Sequence, residues 1–260
     1  MIPSSLDPTV VAEIDRRLDS VEQEYAVRVP WAIESGSRAW GFPSPDSDYD
    51  CRFIFVRDRD AYLSLWTPRD VIETPLDAVF DVNGWDVAKT IRLLAKGNAT
   101  AVEWLRSPIV YRGDRDFHDG LLALADEIVE RDAVARHYRH VALQQAGKST
   151  PSLKRFFYVL RPTVALRWLR IHPGSAIPPM DLPTLLAESD VPRDVLDASQ
   201  ELIALKAKTH ELGAGEPPEV LVRFAEKEID AAAEFETFHP TKNPATVRAL
   251  ADEFFREQVR

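Results

Sequence analysis

The strand-forming signal of this chain ends near Asp114, and that boundary restricts its fold more than any other feature. Ahead of it, residues 27–35 form a short apolar stretch ending at Gly36-Ser37, and residues 48–56 are rich in aromatic and β-branched side chains. Both read as strands, and residues 71–74 and 77–82 read as a further pair turned by Pro75. Val10, Val11, Ile14, Leu18, Val21 and Tyr25 recur at helical spacing over residues 7–26, with Asp7-Pro8 as cap and first position. Asn83-Gly84 is expected to stop the last strand. Asp86 then caps a helix over 87–96 that Gly97-Asn98 closes, and a shorter helix over 101–106 halts at Ser107-Pro108. Beyond Asp114 only helical patterns remain, at 116–131, 133–147, 152–171, 193–211, 217–236 and 244–258, with prolines between them. The expected class is α+β: a mixed sheet-and-helix domain over 1–112, then an all-helical domain over 113–260.

The remaining bulk properties exclude more than they select. A chain of 260 residues, 45% apolar and 28% charged, has the composition of a globular protein and the length for two domains. No apolar run reaches the roughly 18 residues of a membrane span, and the start lacks the basic and apolar blocks of a signal peptide. One cysteine, Cys51, excludes an internal disulfide and a multi-cysteine zinc site. A cytoplasmic protein is the simplest expectation. The net charge of -10 argues against broad, non-specific nucleic-acid binding. Yet residues 131–170 hold nine cations against Asp132 alone, a block either neutralised by an acidic neighbour such as residues 114–130 or forming the wall of a polyanion site.

Chemistry concentrates where Gly36-Ser37 is followed, after ten intervening residues, by Asp48-Tyr49-Asp50. Side chains alternate along a strand, so Asp48 and Asp50 are expected on one face, about 7 Å apart. Two carboxylates on an otherwise apolar strand repel each other, and a divalent cation relieves that penalty. Hard oxygen ligands suit Mg²⁺ or Mn²⁺. Asp81, between Phe80 and Val82, is the preferred third ligand, with Asp86 the alternative; Glu34 and Asp46 read as supporting or loop residues. Gly36 permits close backbone approach to a phosphate, and Ser37 adds a hydroxyl. Together these parts suit two-metal phosphoryl transfer.

The pattern Gly36-Ser37, Asp48-Tyr49-Asp50 and Asp81 resembles the signature of the DNA polymerase beta-like nucleotidyltransferase superfamily. The longer strings Gly36-Ser37-Arg38-Ala39-Trp40-Gly41-Phe42, Asn83-Gly84-Trp85-Asp86 and Glu103-Trp104-Leu105-Arg106-Ser107-Pro108 are similar to a bacterial branch linked to RNA repair. Lys154, Tyr158, Leu160-Arg161-Pro162 and Trp168 extend the likeness over residues 25–170. The resemblance implies a small mixed sheet flanked by helices, with the catalytic domain first and a helical substrate-binding domain second. It further implies transfer of a nucleoside monophosphate from an NTP, two Mg²⁺ or Mn²⁺ ions on Asp48, Asp50 and Asp81, and, more remotely, an RNA 3′ end as acceptor. Gly36, Ser37 and Arg38 are the nucleotide-binding residues carried over.

On the helical side, Lys154, Tyr158 and Arg161 share one face of a largely apolar helix. Cations there need an anion, which is either a structural carboxylate or the phosphates of the NTP. Residues 142–149 match a permissive P-loop pattern, but they follow a helical stretch and not a strand, so Gly147 is expected to end that helix. His137 and His140 read as surface or groove residues, not metal ligands. The rival readings are a protein or aminoglycoside-like acceptor, an Asp-x-Asp glycosyltransferase, and a non-catalytic regulator. The glycosyltransferase usually needs a longer sheet than the 47 residues before Asp48 can supply.

Overall fold

The computed structural model describes residues 6–75, 77, 79–147, 152–208, 215–237 and 239–259. Helix α1, Pro8–Tyr25, begins as expected: the Asp7 side chain accepts from the Thr9 N–H, and Pro8 occupies the first turn. Its buried stripe of Ile14, Leu18 and Val21 lies against one face of a five-stranded sheet. The strands are β1 (Val27–Ser35), β2 (Tyr49–Arg57), β3 (Val71–Glu73), β4 (Phe80–Asp86) and β5 (Val110–Gly113). Their spatial order is β3-β4-β2-β1-β5, with β2 and β4 parallel and every other pair antiparallel.

Alternation then sorts the side chains. Ala32, Cys51, Phe53, Phe55, Ile72 and Val82 pack under α1. Trp31, Ile33, Ile54 and Val56 point to the other face and join the larger core. That core continues through α4 (Val87–Ala95), α5 (Ala99–Leu105), α6 (Arg115–Ile128), α7 (Arg131–Ala146) and α8 (Leu153–Ile171). It also takes in α9 (Leu182–Glu188), α10 (Arg193–Lys208), α11 (Glu219–Ala231) and α12 (Pro244–Gln258). The last helix returns to the sheet-bearing part, where Phe255 meets Tyr62 edge-on at 5.0 Å. Two single-turn helices, α2 (Gly36–Ala39) and α3 (Arg59–Tyr62), fill loops of the first half.

Among the departures from expectation, three bear on the sheet. Asn83-Gly84 does not stop β4, which runs on to Asp86. A Cβ on Gly84 would lie 2.1 Å from the Phe53 ring, so this glycine makes room for a neighbouring strand's side chain. Strand β2 begins at Tyr49, leaving Asp48 just outside the ladder. Strand β5 was not expected; its four residues take their order from pairing with β1. Gly147 caps the C-terminus of α7, and the segment before it is helix. Lys148 and Ser149 of the P-loop-like string, and Met1 to Ser5 at the start, lie outside the described residues. No helix among the described residues is long and apolar enough to cross a membrane.

Candidate active site

Strand β1 ends at Ser35, which pairs with Asp50 across the ladder. The chain then enters α2 through Gly36, whose φ of 65° lies in the left-handed region. A Cβ built there would sit 2.0 Å from Asp50 Oδ2, so only glycine lets the backbone approach that carboxylate. Ser37 Oγ donates to Ser47 Oγ at 2.9 Å and ties this turn to the loop ahead of β2. Arg38 reinforces the same loop: Nε donates to the Asp48 carbonyl at 3.0 Å, Nη2 to the Ser47 carbonyl, and the guanidinium lies 3.9 Å from the Tyr49 ring centroid. Arg38 therefore holds the segment that carries Asp48.

Asp50 and Asp81 are register partners on the parallel strands β2 and β4. One nitrogen, Arg52 Nη2, bridges them, donating to Asp50 Oδ1 at 3.1 Å and to Asp81 Oδ2 at 2.6 Å. Asn83 Nδ2 holds the other Asp81 oxygen, while Asn83 Oδ1 is buried with no hydrogen-bond partner. Burial raises the Asp50 pKa; Arg52 opposes the shift, and Asp48 and Asp81 add to it. Asp48 is exposed. Glu34, fully buried beneath Asp50, accepts the Asp50 N–H at 3.0 Å and the Tyr111 hydroxyl. Burial pushes its carboxyl up to about 8.

The donor chemistry of this pair suits a divalent ion, because two hard carboxylates already share a cation, with the Arg52 nitrogen standing in for its charge. Among the described residues, no group of three or more His, Cys, Asp or Glu side chains is gathered to hold a metal. The expected trio of Asp48, Asp50 and Asp81 is not closed: Arg52 lies between two members, and the third precedes the strand. Of the two aspartates weighed for third place, Asp81 is the one in register with Asp50. Asp86 lies at the far end of β4, where it accepts the Ala88 N–H at 2.8 Å as the cap of α4.

Helix α8 supplies the opposite wall. Tyr158 meets Trp40 edge-on at 5.5 Å, and its pKa is raised by burial and then by the charges of Asp50 and Asp48. Lys154 is exposed on the same helix. Arg161 is not aimed into the cleft: it is buried, paired with Glu103 at 2.8 Å and covered by the Trp40 ring at 4.3 Å. Of its two readings, the structure shows the carboxylate partner.

The same holds for three more cations of the basic block. Arg139 meets Glu236, and Arg167 and Arg170 share Glu228. These carboxylates come from α5, α11 and the 3-10 turn Ala232–Thr237, and Arg131 pairs with Asp132 inside the block itself; Lys148 lies outside the described residues. His137 accepts the Ala99 N–H at 2.7 Å through Nδ1, a local structural contact. Sequence reasoning missed Arg52, although strand alternation places it on the Asp50 face, and it missed Lys206 of α10, for which no local signal exists.

The profile of the RNA repair pathway DNA polymerase beta family matches residues 10–257 of the chain. An uncharacterized protein of Bacillus subtilis, YcgL, is 38% identical over 222 residues, covering 84% of each chain. A crystal structure of a nucleotidyltransferase-like protein from Exiguobacterium sibiricum aligns over 95% of this chain and 74% of its own, at 11% identity and a TM-score of 0.29.

Proposed function

Because the chain belongs to the RNA repair pathway DNA polymerase beta family, we propose that it transfers a nucleoside monophosphate from an NTP to an acceptor hydroxyl, with an RNA 3′ end as the acceptor. The observation that carries this reading is the in-register pair Asp50 and Asp81, bridged by a single cationic nitrogen beside a glycine that admits no side chain.

In this reading Asp50 and Asp81, with Asp48, would hold divalent ions in the place where Arg52 now supplies the positive charge. Such ions supply charge neutralisation at the triphosphate and lower the pKa of the attacking hydroxyl. The chain's own residues do the positioning. Gly36 and Ser37 lie against the triphosphate, Arg38 fixes the loop carrying Asp48, and Glu34 holds the Asp50 backbone from below. Tyr158 and Trp40 form an aromatic edge beside the group. The acceptor oxygen bonds to the α-phosphorus, its proton passes to a carboxylate or to solvent, and pyrophosphate leaves. Incubating the purified protein with Mg²⁺ or Mn²⁺ and each labelled NTP, with RNA, with protein and with no acceptor, tests this. Label on RNA 3′ ends with stoichiometric pyrophosphate is the expected result; absence of label on every acceptor overturns it.

A further inference from the structure

Two cavities adjoin where the end of α4 meets α7, about 410 and about 620 Å³ in volume. Lys96, Ala133 and Arg136 line both, so the two share a wall and form one groove. Gly97 makes the junction possible. Its φ of 67° turns the chain out of α4, and a Cβ there would lie 2.5 Å from the Ala133 Cβ. Helix α12 contributes Val247 and Arg248 to the second cavity. The segment before α12 is tied to Glu130, which accepts the Thr241 and Lys242 N–H groups at 2.8 and 2.6 Å.

The charge of this groove is opposite to the net -10 of the chain. Its cations are Arg92, Lys96, Arg136, Lys242 and Arg248, and its carboxylates are Glu130 and Glu236. Both carboxylates are already engaged. Glu130 takes two N–H groups and the Thr241 hydroxyl, and Glu236 pairs with Arg139. Lys242 Nζ donates to carbonyl oxygens, those of Asp126 and Glu127 at 2.8 and 2.7 Å, so its charge stays unbalanced there. Lys96 and Arg248 are exposed, and neither side chain has an ion pair or hydrogen bond among the described residues. His137 adds a neutral donor: its Nδ1 accepts the Ala99 N–H, which leaves the ring proton on Nε2. Cations gathered in a concave surface raise the local concentration of anions, because the low-dielectric walls focus their field.

We infer that this groove between α4, α7 and α12 binds single-stranded RNA through its phosphate backbone, with residues separate from the aspartate cluster. The choice of RNA among polyanions rests on the transfer reading above. Of the basic block, Arg139, Arg161, Arg167 and Arg170 pair with carboxylates, while Arg136 lines the groove. Ile128, Pro244 and Val247 give an apolar floor on which sugars can lie. No Phe, Tyr or Trp lines it among the described residues, so base stacking has no platform and binding is indifferent to sequence.

Fluorescence anisotropy without NTP tests the groove, using labelled mixed-sequence RNA longer than the ~4–16 nucleotides that one single-strand site covers. The proteins are wild type, Lys96→Gln with Arg248→Gln, and Lys96→Glu with Arg248→Glu. The neutral pair should weaken binding about tenfold and the reversed pair further, both with near-normal melting temperatures. The slope of log affinity against log salt should fall by about 1.4 in the neutral pair, at roughly 0.7 per lost phosphate contact. Wild type that binds no RNA, or variants with unchanged affinity and slope, overturn the inference. Polyglutamate that displaces the RNA at equal charge makes the groove a general anion site and overturns the assignment to RNA. Labelling with NTP and saturating RNA separates this inference from the transfer reading. Label on RNA, with variants that bind it like wild type, overturns the groove alone. Weakened RNA binding in the variants, with no label on any acceptor, supports the groove and overturns the transfer reading.

Discussion

Arg161 and Arg52 both pair with carboxylates, and they do so in opposite ways. Around Arg161 the charges balance one to one: Glu103 accepts from it and from the Tyr138 hydroxyl, each at 2.8 Å, and the two ionic side chains are 8% and 6% exposed. Around Arg52 one guanidinium faces two carboxylates, with side chains 19%, 19% and 25% exposed. The first cluster is sealed and neutral, and removing one partner strands a charge. The second keeps a net negative charge and stays partly open to solvent, so a further cation can add to it. Charge balance and access, more than burial alone, separate a pair that holds the fold from one that awaits a ligand.

The sharpest break of this comparison is at Asp50 and Asp81. Asp50→Asn or Asp81→Asn keeps volume and removes an anionic ligand. Pyrophosphate release should fall by about two to four orders of magnitude, as the loss of several kcal/mol of metal-assisted stabilisation implies. Thermal unfolding in chelator should stay near wild type. Near-normal turnover in either variant removes the metal-site assignment.

Glu103→Ala should do the reverse, costing about 3–5 kcal/mol in denaturant titrations because Arg161 is left buried without its anion. A cost under about 1 kcal/mol would mean that Arg161 finds another partner, and the one-to-one balance would then not be what holds it.

What could be read ahead of the structure followed the range of the forces involved. Helices α1 and α4 were legible because their signals, Asp7-Pro8 and Asp86, act within one turn. The Gly36, Asp50 and Asp81 group was legible because it rests on the two-residue period of strands and a short loop. Gly84 misled because its reason, the Phe53 ring, lies on another strand. Lys206 was invisible because only the packing of α10 brings it over the Phe42 and Phe157 rings. Glu34 could be named as a supporting residue, but its complete burial depends on Tyr111 of the unexpected strand β5.

Glu34 adds a pH signature to the open cluster. An acid whose folded pKa is raised from 4.5 to about 8 holds its proton more tightly in the folded state. Below the unfolded value both states are protonated; as pH rises from there to about 8, stability falls, and above that it levels. The slope should approach ~1.4 kcal/mol per pH unit in metal-free buffer. Glu34→Gln, which can still accept from the Asp50 N–H, should flatten it. An unaltered slope in that variant would assign the titration elsewhere.

Arg52→Met offers a smaller and more specific effect. Without its cation the Asp50 and Asp81 pair repels, but water reaches it, so the loss in chelator should be about 1 kcal/mol or less. Added Mg²⁺ should restore more stability to this variant than to wild type. A loss as large as that of Glu103→Ala, with no recovery by metal, would place both arginines in the same structural class.

The smallest effect should come from Asp86→Asn. Asp86 is buried at the end of β4, five residues beyond Asp81, and its carboxyl is raised by burial against the Ala88 N–H, the Tyr62 hydroxyl and Arg57. Its Oδ1 caps α4, its Oδ2 accepts from Tyr62 at 3.0 Å, and Arg57 Nε stands 3.9 Å away. Asparagine caps a helix about as well as aspartate, so the Ala88 contact survives. The amide can donate to the Tyr62 oxygen in place of accepting from it. What is lost is the attraction to Arg57, whose Nε already lacks a hydrogen-bond partner. Arg57 keeps its hydrogen bond to the Arg69 carbonyl, so stability should fall by only about 1 kcal/mol, and turnover should persist. A dead Asp86→Asn beside an active Asp81→Asn would move the ion to the helix-cap end of β4, away from Gly36 and Arg52, and the contrast between the two arginines would no longer mark the site.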